Sequence, residues 1–530
     1  MISELTRRAA MGLGLGLAAA TAALTAGPGR AQDALQTVER WGLLEIPLSG
    51  AASRNPFDAV VKGVFTQGGH TIDAPGFYDG DGIWRVRFSP PSEGAWTWTI
   101  TSDLPDLDGR NGGFTVTAPT AGNHGPVAVA DTFHFAHADG TPYRQLGTTA
   151  YGWTHQEEMQ RRRTLETLAA SPFNKIRMLV FPNGSIPNEP LFPFEKSGPG
   201  EADWDFTRFN PAYFRRLDQQ VAALMALGIQ ADVILFHPYD EDRWGFDRMS
   251  AETDDRYVRY VVARLAAYRN VWWSMANEFD LLESKTDTDW DRMFQLVQST
   301  DPHGRLRSIH NWRRIYNQSH PWVTHASIQN GSAVVDDARA VIYRDVWYKP
   351  VVFDEVRYEG TMEDRWGNLS GQEMTRAFWE GLIAGTYVGH SETTPNSDEG
   401  FWLGIGGTLV GESPARLAFF KSVMDAAPAP GYEPIDKWWE QHLGGKMGRL
   451  YLRYFGEDAP REWTVDLPRD ELEGGERFEV DVIDTWNMTL DTLPGVFIMA
   501  RKNRYFFHDP ARPTVSLPGR QWMAVRVRRV

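Results

Sequence analysis

Two short stretches decide the fold: Val271-Trp272-Trp273-Ser274-Met275-Ala276-Asn277-Glu278 and Pro350-Val351-Val352-Phe353-Asp354-Glu355. Each is an apolar run that stops abruptly on a carboxylate. Runs this short and this apolar suit strands buried on both faces of a parallel sheet. A parallel barrel builds its site from the loops at the C-terminal ends of its strands, which is where both carboxylates fall.

Similar runs occur on either side, at Gln145–Tyr151, Lys175–Phe181, Gln230–Phe236, Leu306–Ile309, Trp322–Ser327 and Gly385–Gly389, giving eight strands with Val271–Ala276 and Val351–Phe353. Amphipathic stretches such as Pro211–Leu227, Asp254–Tyr268 and Thr288–Gln298 lie between them with the 3.6-residue apolar period of outer helices. Eight such units between Phe133 and Ala427 match a (β/α)8 TIM barrel, which needs about 250 residues.

The strand ends collect polar and aromatic residues. Strand one ends in Tyr151-Gly152-Trp153, and strand two carries Arg177. Strand three ends in His237-Pro238-Tyr239-Asp240, strand four in Asn277-Glu278, and strand five in His310-Asn311-Trp312. His325 belongs to strand six, Asp354-Glu355 to strand seven, and His390-Ser391-Glu392 to strand eight, with Tyr358 and Trp402 in the loops that follow. Strands four and seven face each other across a barrel mouth, so their carboxylates can address one small molecule from two sides. That pairing suits glycoside cleavage: one carboxylic acid protonates the leaving oxygen while the other attacks the anomeric carbon. Asp354 competes with Glu355 for the strand-seven role, because one residue of strand phase swaps which side chain faces the mouth. Arg177 alternates within its strand and also fits a buried ion pair, and each histidine also fits a satisfied core position.

Before the barrel, from Val38 to Ala118, short alternating runs such as Trp84-Arg85-Val86-Arg87-Phe88 are separated by Gly, Pro, Asp and Asn, the pattern of an antiparallel β-sandwich. Trp96 and Trp98 share one face of a strand there, which suits core packing better than a carbohydrate platform. Strand-like runs return from Tyr432 to Val530, as in Leu450–Tyr454 and Trp522–Val527. The expected layout is a signal segment over 1–31, an N-terminal β-sandwich over 35–120, the barrel over 130–428 and a C-terminal β-sandwich over 430–530.

The signal reading rests on Thr6-Arg7-Arg8, a weakly apolar run from Ala9 to Gly27, and Gly29-Arg30-Ala31 as a small-x-small cleavage pattern. It resembles a twin-arginine export signal, implying a periplasmic or secreted protein. No later apolar stretch approaches the roughly 18 residues needed to span a bilayer, so no membrane partner is expected after signal removal.

Composition narrows the rest. Lys+Arg 54 against Asp+Glu 69 gives a formal charge of −15, which argues against nucleic acid as a partner, since polyanions are gripped through basic patches. With Cys 0 there is no disulfide, thiolate nucleophile or thiolate metal site. Strand one lacks the His-x-His of metal-dependent hydrolase barrels, no Gly-x-Ser-x-Gly elbow or phosphate loop occurs, and Gly404-Ile405-Gly406-Gly407 lacks dinucleotide-binding spacing. No metal and no cofactor are expected. The 21 Trp, 17 Tyr and 28 Phe supply flat faces for cores and for sugar rings.

The Asn277-Glu278 and Glu355 pair resembles the large clan of retaining glycoside hydrolases built on (β/α)8 barrels. The likeness implies Glu278 as acid/base and Glu355 as nucleophile, with Arg177 supporting the nucleophile and Asn277 binding a sugar hydroxyl. A closer likeness runs along nearly the whole chain after the signal, through Tyr78-Asp79-Gly80, Trp84–Phe88, Gly94-Ala95-Trp96, Phe236–Asp240, Arg243–Phe246 and Asp354-Glu355…Tyr358-Glu359-Gly360. These are similar to bacterial glycoside hydrolases with an apiosidase-family-like barrel between two sandwiches. The clan often has Tyr on strand six where His325 stands. The substrate-binding set is therefore Tyr151, Trp153, Arg177, His237, Asn277, His310, Trp312, His325, Tyr358, Glu392 and Trp402. A carbohydrate is the expected partner, and sugar, linkage and oligomeric state stay open. A transglycosylase would use the same residues, and a non-catalytic carbohydrate-binding barrel is the reading from another class.

Overall fold

The computed structural model describes residues 36–184, 190–240, 242–329, 337–397, 400–437 and 440–530. The expected signal segment, 1–31, lies outside them. Eight parallel strands form the central sheet: Gly147–Thr149, Lys175–Leu179, Gln230–Phe236, Val271–Ala276, Arg307–Ser308, Ala326–Gln329, Val351–Glu355 and Tyr387–His390. Strand one pairs with both strand two and strand eight, and a single bridge from His310 to Ser327 joins strands five and six, so the sheet closes into a barrel.

Seven longer helices surround it: Glu158–Ala170, Pro211–Ala226, Ala251–Leu265, Asp287–Thr300, Asp337–Trp347, Gly371–Ile383 and Ser413–Asp425. Their starts carry local stop signals. Ser250 caps the third helix through the Thr253 N–H, while Thr286 with Asp289 and Ser370 with Glu373 form reciprocal capping boxes. Strands five and six are connected by turns, without an outer helix. Strand six is displaced from the expected Trp322–Ser327. Trp322 stacks on His320 and donates its indole N–H to the Tyr316 hydroxyl, so that apolar run packs in the connection and pairing begins only at Ala326.

The barrel interior is unusually polar. Lys175 is fully buried between Asp232 (2.7 Å) and Asp354 (2.8 Å). Below this layer, the antiparallel strands Val127–Ala130, His134–His137 and Pro142–Tyr143 close the floor, with Phe135 and Tyr143 packed on Trp272 and Tyr387. The mouth at the opposite end is where polar groups reach solvent.

The flanking β-domains attach differently. In the N-terminal one, a seven-stranded sheet folds over its own core, with Phe65 stacked on Phe88 at 4.0 Å. It is tied to the barrel helices by a buried ion network: Arg87 and Arg264 share Asp218 (3.0 and 2.6 Å), and Arg264 also reaches Asp79 (2.9 Å). In the C-terminal domain, strands Leu450–Tyr454, Arg477–Asp484 and Met523–Arg529 form the centre of a sheet whose Leu450, Leu452, Tyr454 and Ile483 pack on Phe378, Trp379 and Phe420 of the barrel helices. No helix among the described residues is long and apolar enough to cross a membrane.

Candidate active site

Backbone hydrogen bonds pin the end of strand four between its neighbours. The Asn277 N–H donates to the Phe236 carbonyl of strand three, and the Phe279 N–H donates to the His310 carbonyl beyond strand five. Between them Glu278 adopts φ 45° and ψ 51°. A left-handed conformation costs about 1 kcal/mol or more for a non-glycine residue, and it persists here because both sides of the turn are bonded.

Strand seven brings its carboxylates inward by a register irregularity. Ser327 faces Val352, but Gln329 faces Glu355, so strand seven carries one extra residue over this interval. This is a β-bulge, and bulges beside functional sites re-aim side chains. Asp354 and Glu355 therefore both turn into the barrel, at different levels. Asp354 belongs to the lower layer, with Lys175 on one oxygen and the Ser327 hydroxyl on the other (2.6 Å). Glu355 stands at the mouth.

Around Glu355 the donors converge on one oxygen. Oε1 accepts from the Tyr151 hydroxyl and from Arg177 Nη1 (3.1 Å), and His310 Nε2 lies 3.3 Å away. Burial pushes the Glu355 carboxyl up, but His310, Arg177 and Tyr151 outweigh it and hold the group well below the usual carboxylate range. The Tyr358 phenol, also buried, is pushed up by burial and by the Glu355 charge.

Glu278 is treated oppositely. It is half-buried and has no cation against it among the described contacts. Burial and the Glu355 charge push its carboxyl up to about 7, against hydrogen bonds from Tyr239 and Gln329 that pull it down. The Tyr239 hydroxyl donates to Glu278 Oε2 at 2.9 Å. A chain of polar contacts links the two carboxylates: Arg177 Nη2 donates to Asn277 Oδ1, Asn277 Nδ2 donates to the Tyr239 oxygen, and Tyr239 donates to Glu278. One guanidinium thus contacts Glu355 and, through Asn277, reaches the tyrosine that holds Glu278.

The structure gathers Glu278, Glu355, Tyr151, Arg177, Asn277, His310 and Tyr358. Trp312 stands at the rim, 36% exposed, with its N–H and those of Arg313 and Arg314 held by the Asp280 carboxylate just past Glu278. His237 is one step removed: it accepts the Tyr239 backbone N–H, donates to the Phe181 carbonyl and stacks on the Tyr239 ring. Burial lowers it to about 4, so it is a neutral support for Tyr239.

Four expected members are elsewhere. His325 precedes strand six and lies against Phe135 and Trp272 at the barrel floor, because the strand begins four residues later than expected. Trp153 is fully buried in the main core. Trp402 is also buried and donates its indole N–H to the Thr148 hydroxyl, outside the barrel sheet beside His390. Glu392 spends its carboxylate on the backbone N–H groups of Val410 and Gly411, which binds a loop. Tyr239 and Gln329 also face Glu278: a phenol at a strand end carries no sequence signal of its partners, and Gln329 lies at the end of a strand whose pairing begins later than its apolar run.

A (β/α)8 barrel with one carboxylate ending strand four and another ending strand seven is the arrangement that two-carboxylate glycoside cleavage uses. A family model described as "Apiosidase-like, catalytic domain" matches residues 130–391, and two domains of unknown function, DUF5060 and DUF5605, match 37–103 and 439–528. No curated protein sequence matches the chain. A crystal structure described as "a putative glycoside hydrolase from Bacteroides vulgatus ATCC 8482" is 38% identical, with a TM-score of 0.90, covering 93% of this chain and 100% of that one. The chain belongs to that family of glycoside hydrolases. A family 5 glycoside hydrolase from the same organism shares the fold at 15% identity, TM-score 0.59, over 77% of this chain and 94% of that one.

Proposed function

We propose that this enzyme is an exported retaining glycosidase in which Glu278 is the acid/base and Glu355 the nucleophile. The opposite protonation of two carboxylates in one mouth carries the reading. Below about pH 7 Glu278 holds a proton to give to the glycosidic oxygen, while Glu355 stays ionised and free to attack the anomeric carbon. Attack forms a glycosyl–enzyme ester and releases the alcohol. Glu278, now a carboxylate, takes a proton from water as the water oxygen attacks the same carbon and Glu355 departs. Two inversions retain the configuration. Arg177, His310 and Tyr151 stabilise the charge that Glu355 carries before attack and regains at departure.

The proposed chain plan is a twin-arginine-type signal over 1–31, then units at 35–120, 130–428 and 430–530. The substrate is proposed as an oligo- or polysaccharide, and apiose-containing glycosides head the panel because of the apiosidase-like catalytic domain. A glycan panel is incubated with wild type, Glu278→Ala and Glu355→Ala, and the first-formed anomer is read by proton NMR. Cleavage with retained configuration, lost in both variants, is expected. An inverted product, or full rate in either variant, overturns the mechanism.

A further inference from the structure

We propose that His310 stands in the resting enzyme as an imidazolium, with Ser327 as the positioning residue that orients it against Glu355. Three contacts run in series: Asp354 Oδ2 to Ser327 Oγ (2.6 Å), Ser327 Oγ to His310 Nδ1 (3.0 Å), and His310 Nε2 to Glu355 Oε1 (3.3 Å). The protons can be counted. Asp354 is ionised by its contact with Lys175 and accepts only, so the single hydroxyl proton of Ser327 goes to it. Ser327 Oγ is then an acceptor, and His310 Nδ1 must bring a proton. A neutral imidazole has no second one. Its Nε2 lone pair would then lie 3.3 Å from a carboxylate oxygen in a dry interior, and Nε2 has no hydrogen-bond partner among the described residues.

Glu355 is a poor place for the missing proton, because the Arg177 guanidinium against its carboxylate favours the ionised form. A proton on Nε2 turns the contact with Glu355 from repulsive to attractive. Charge balance agrees. Lys175 and Arg177 oppose Asp232, Asp354 and Glu355, leaving one uncompensated anion in the barrel unless His310 is charged. Other polar groups near this centre are the phenols of Tyr151, Tyr239 and Tyr358, the Gln329 amide and Glu278, which is protonated below about pH 7.

The effect on turnover rests on Glu355 being the nucleophile. When the glycosyl–enzyme breaks down, negative charge returns to the Glu355 oxygens, and an imidazolium at 3.3 Å stabilises that departure. Nδ1, held by Ser327, keeps the ring turned towards it.

The charge state is read without substrate, in ring-15N-histidine-labelled enzyme at pH 7, with His310→Gln assigning the signals. Two protonated ring nitrogens on His310, and only one in Glu355→Gln, are expected. A single protonated nitrogen in wild type overturns the proposal. With any glycoside the wild type cleaves, Ser327→Ala is expected to lose about tenfold in kcat/KM, the size of one charge-linked hydrogen bond, and Ser327→Thr to recover most of it. An unchanged Ser327→Ala, or Ser327→Thr as slow as Ser327→Ala, removes the positioning role. If no glycan is cleaved, the glycosidase mechanism fails while the NMR result still decides the charge.

Discussion

Asp354 and Glu355 are neighbours in the chain, yet they sit in two layers of the barrel that treat negative charge differently. In the lower layer Asp354 and Asp232 share the buried Lys175, each within 3 Å of its ammonium. At the mouth compensation is lopsided: Glu355 takes the guanidinium, the imidazole and a phenol, and Glu278 receives only neutral donors. A shared cation keeps both lower carboxylates in one buried cluster. Unequal partners at the mouth make two carboxyls of different acidity, which a double displacement requires.

The comparison breaks most decisively at the mouth. Glu355→Ala is expected to lose about 10⁴-fold or more in kcat/KM, because the proposed covalent route disappears. In the lower layer, Lys175→Met leaves two buried carboxylates without their cation and is expected to cost about 3–5 kcal/mol of stability, read by denaturant unfolding. If that variant unfolds like wild type, the Lys175 cluster is not what holds the floor.

Smaller effects sharpen the mouth itself. With Glu278 as the proposed acid, kcat/KM should fall as pH rises through about 7, while the ionised Glu355 keeps the acid limb far lower. Tyr239→Phe removes a hydrogen bond that lowers Glu278, so the basic limb should move to higher pH and the rate should drop about tenfold. A limb that stays still would detach Tyr239 from the acid. Trp312→Ala at the exposed rim should raise KM a few-fold, on the order of 1 kcal/mol, with kcat nearly unchanged.

Much of this was legible because burial writes itself into the chain as apolar runs. Val271–Ala276 and Gln230–Phe236 match the expected strands, and Glu278 and Glu355 follow from where such runs stop. Trp153 and Trp402 misled for the same reason: a tryptophan near a strand end has the same letter whether it stacks on a sugar or fills the core. His325 misled through register, since the apolar Trp322-Val323 pair packs without entering the sheet.

The amino-acid sequence by itself determined the barrel, its flanking β-domains and the two carboxylates, because these depend on local hydrophobic periodicity and on residue identity at strand ends. Only the tertiary structure decided which charge each carboxylate bears. The bulge that separates Asp354 from Glu355, the fork of Arg177 between Glu355 and Asn277, and the route from Ser327 through His310 are contacts between residues far apart in the chain, and protonation in a dry interior is set by those neighbours.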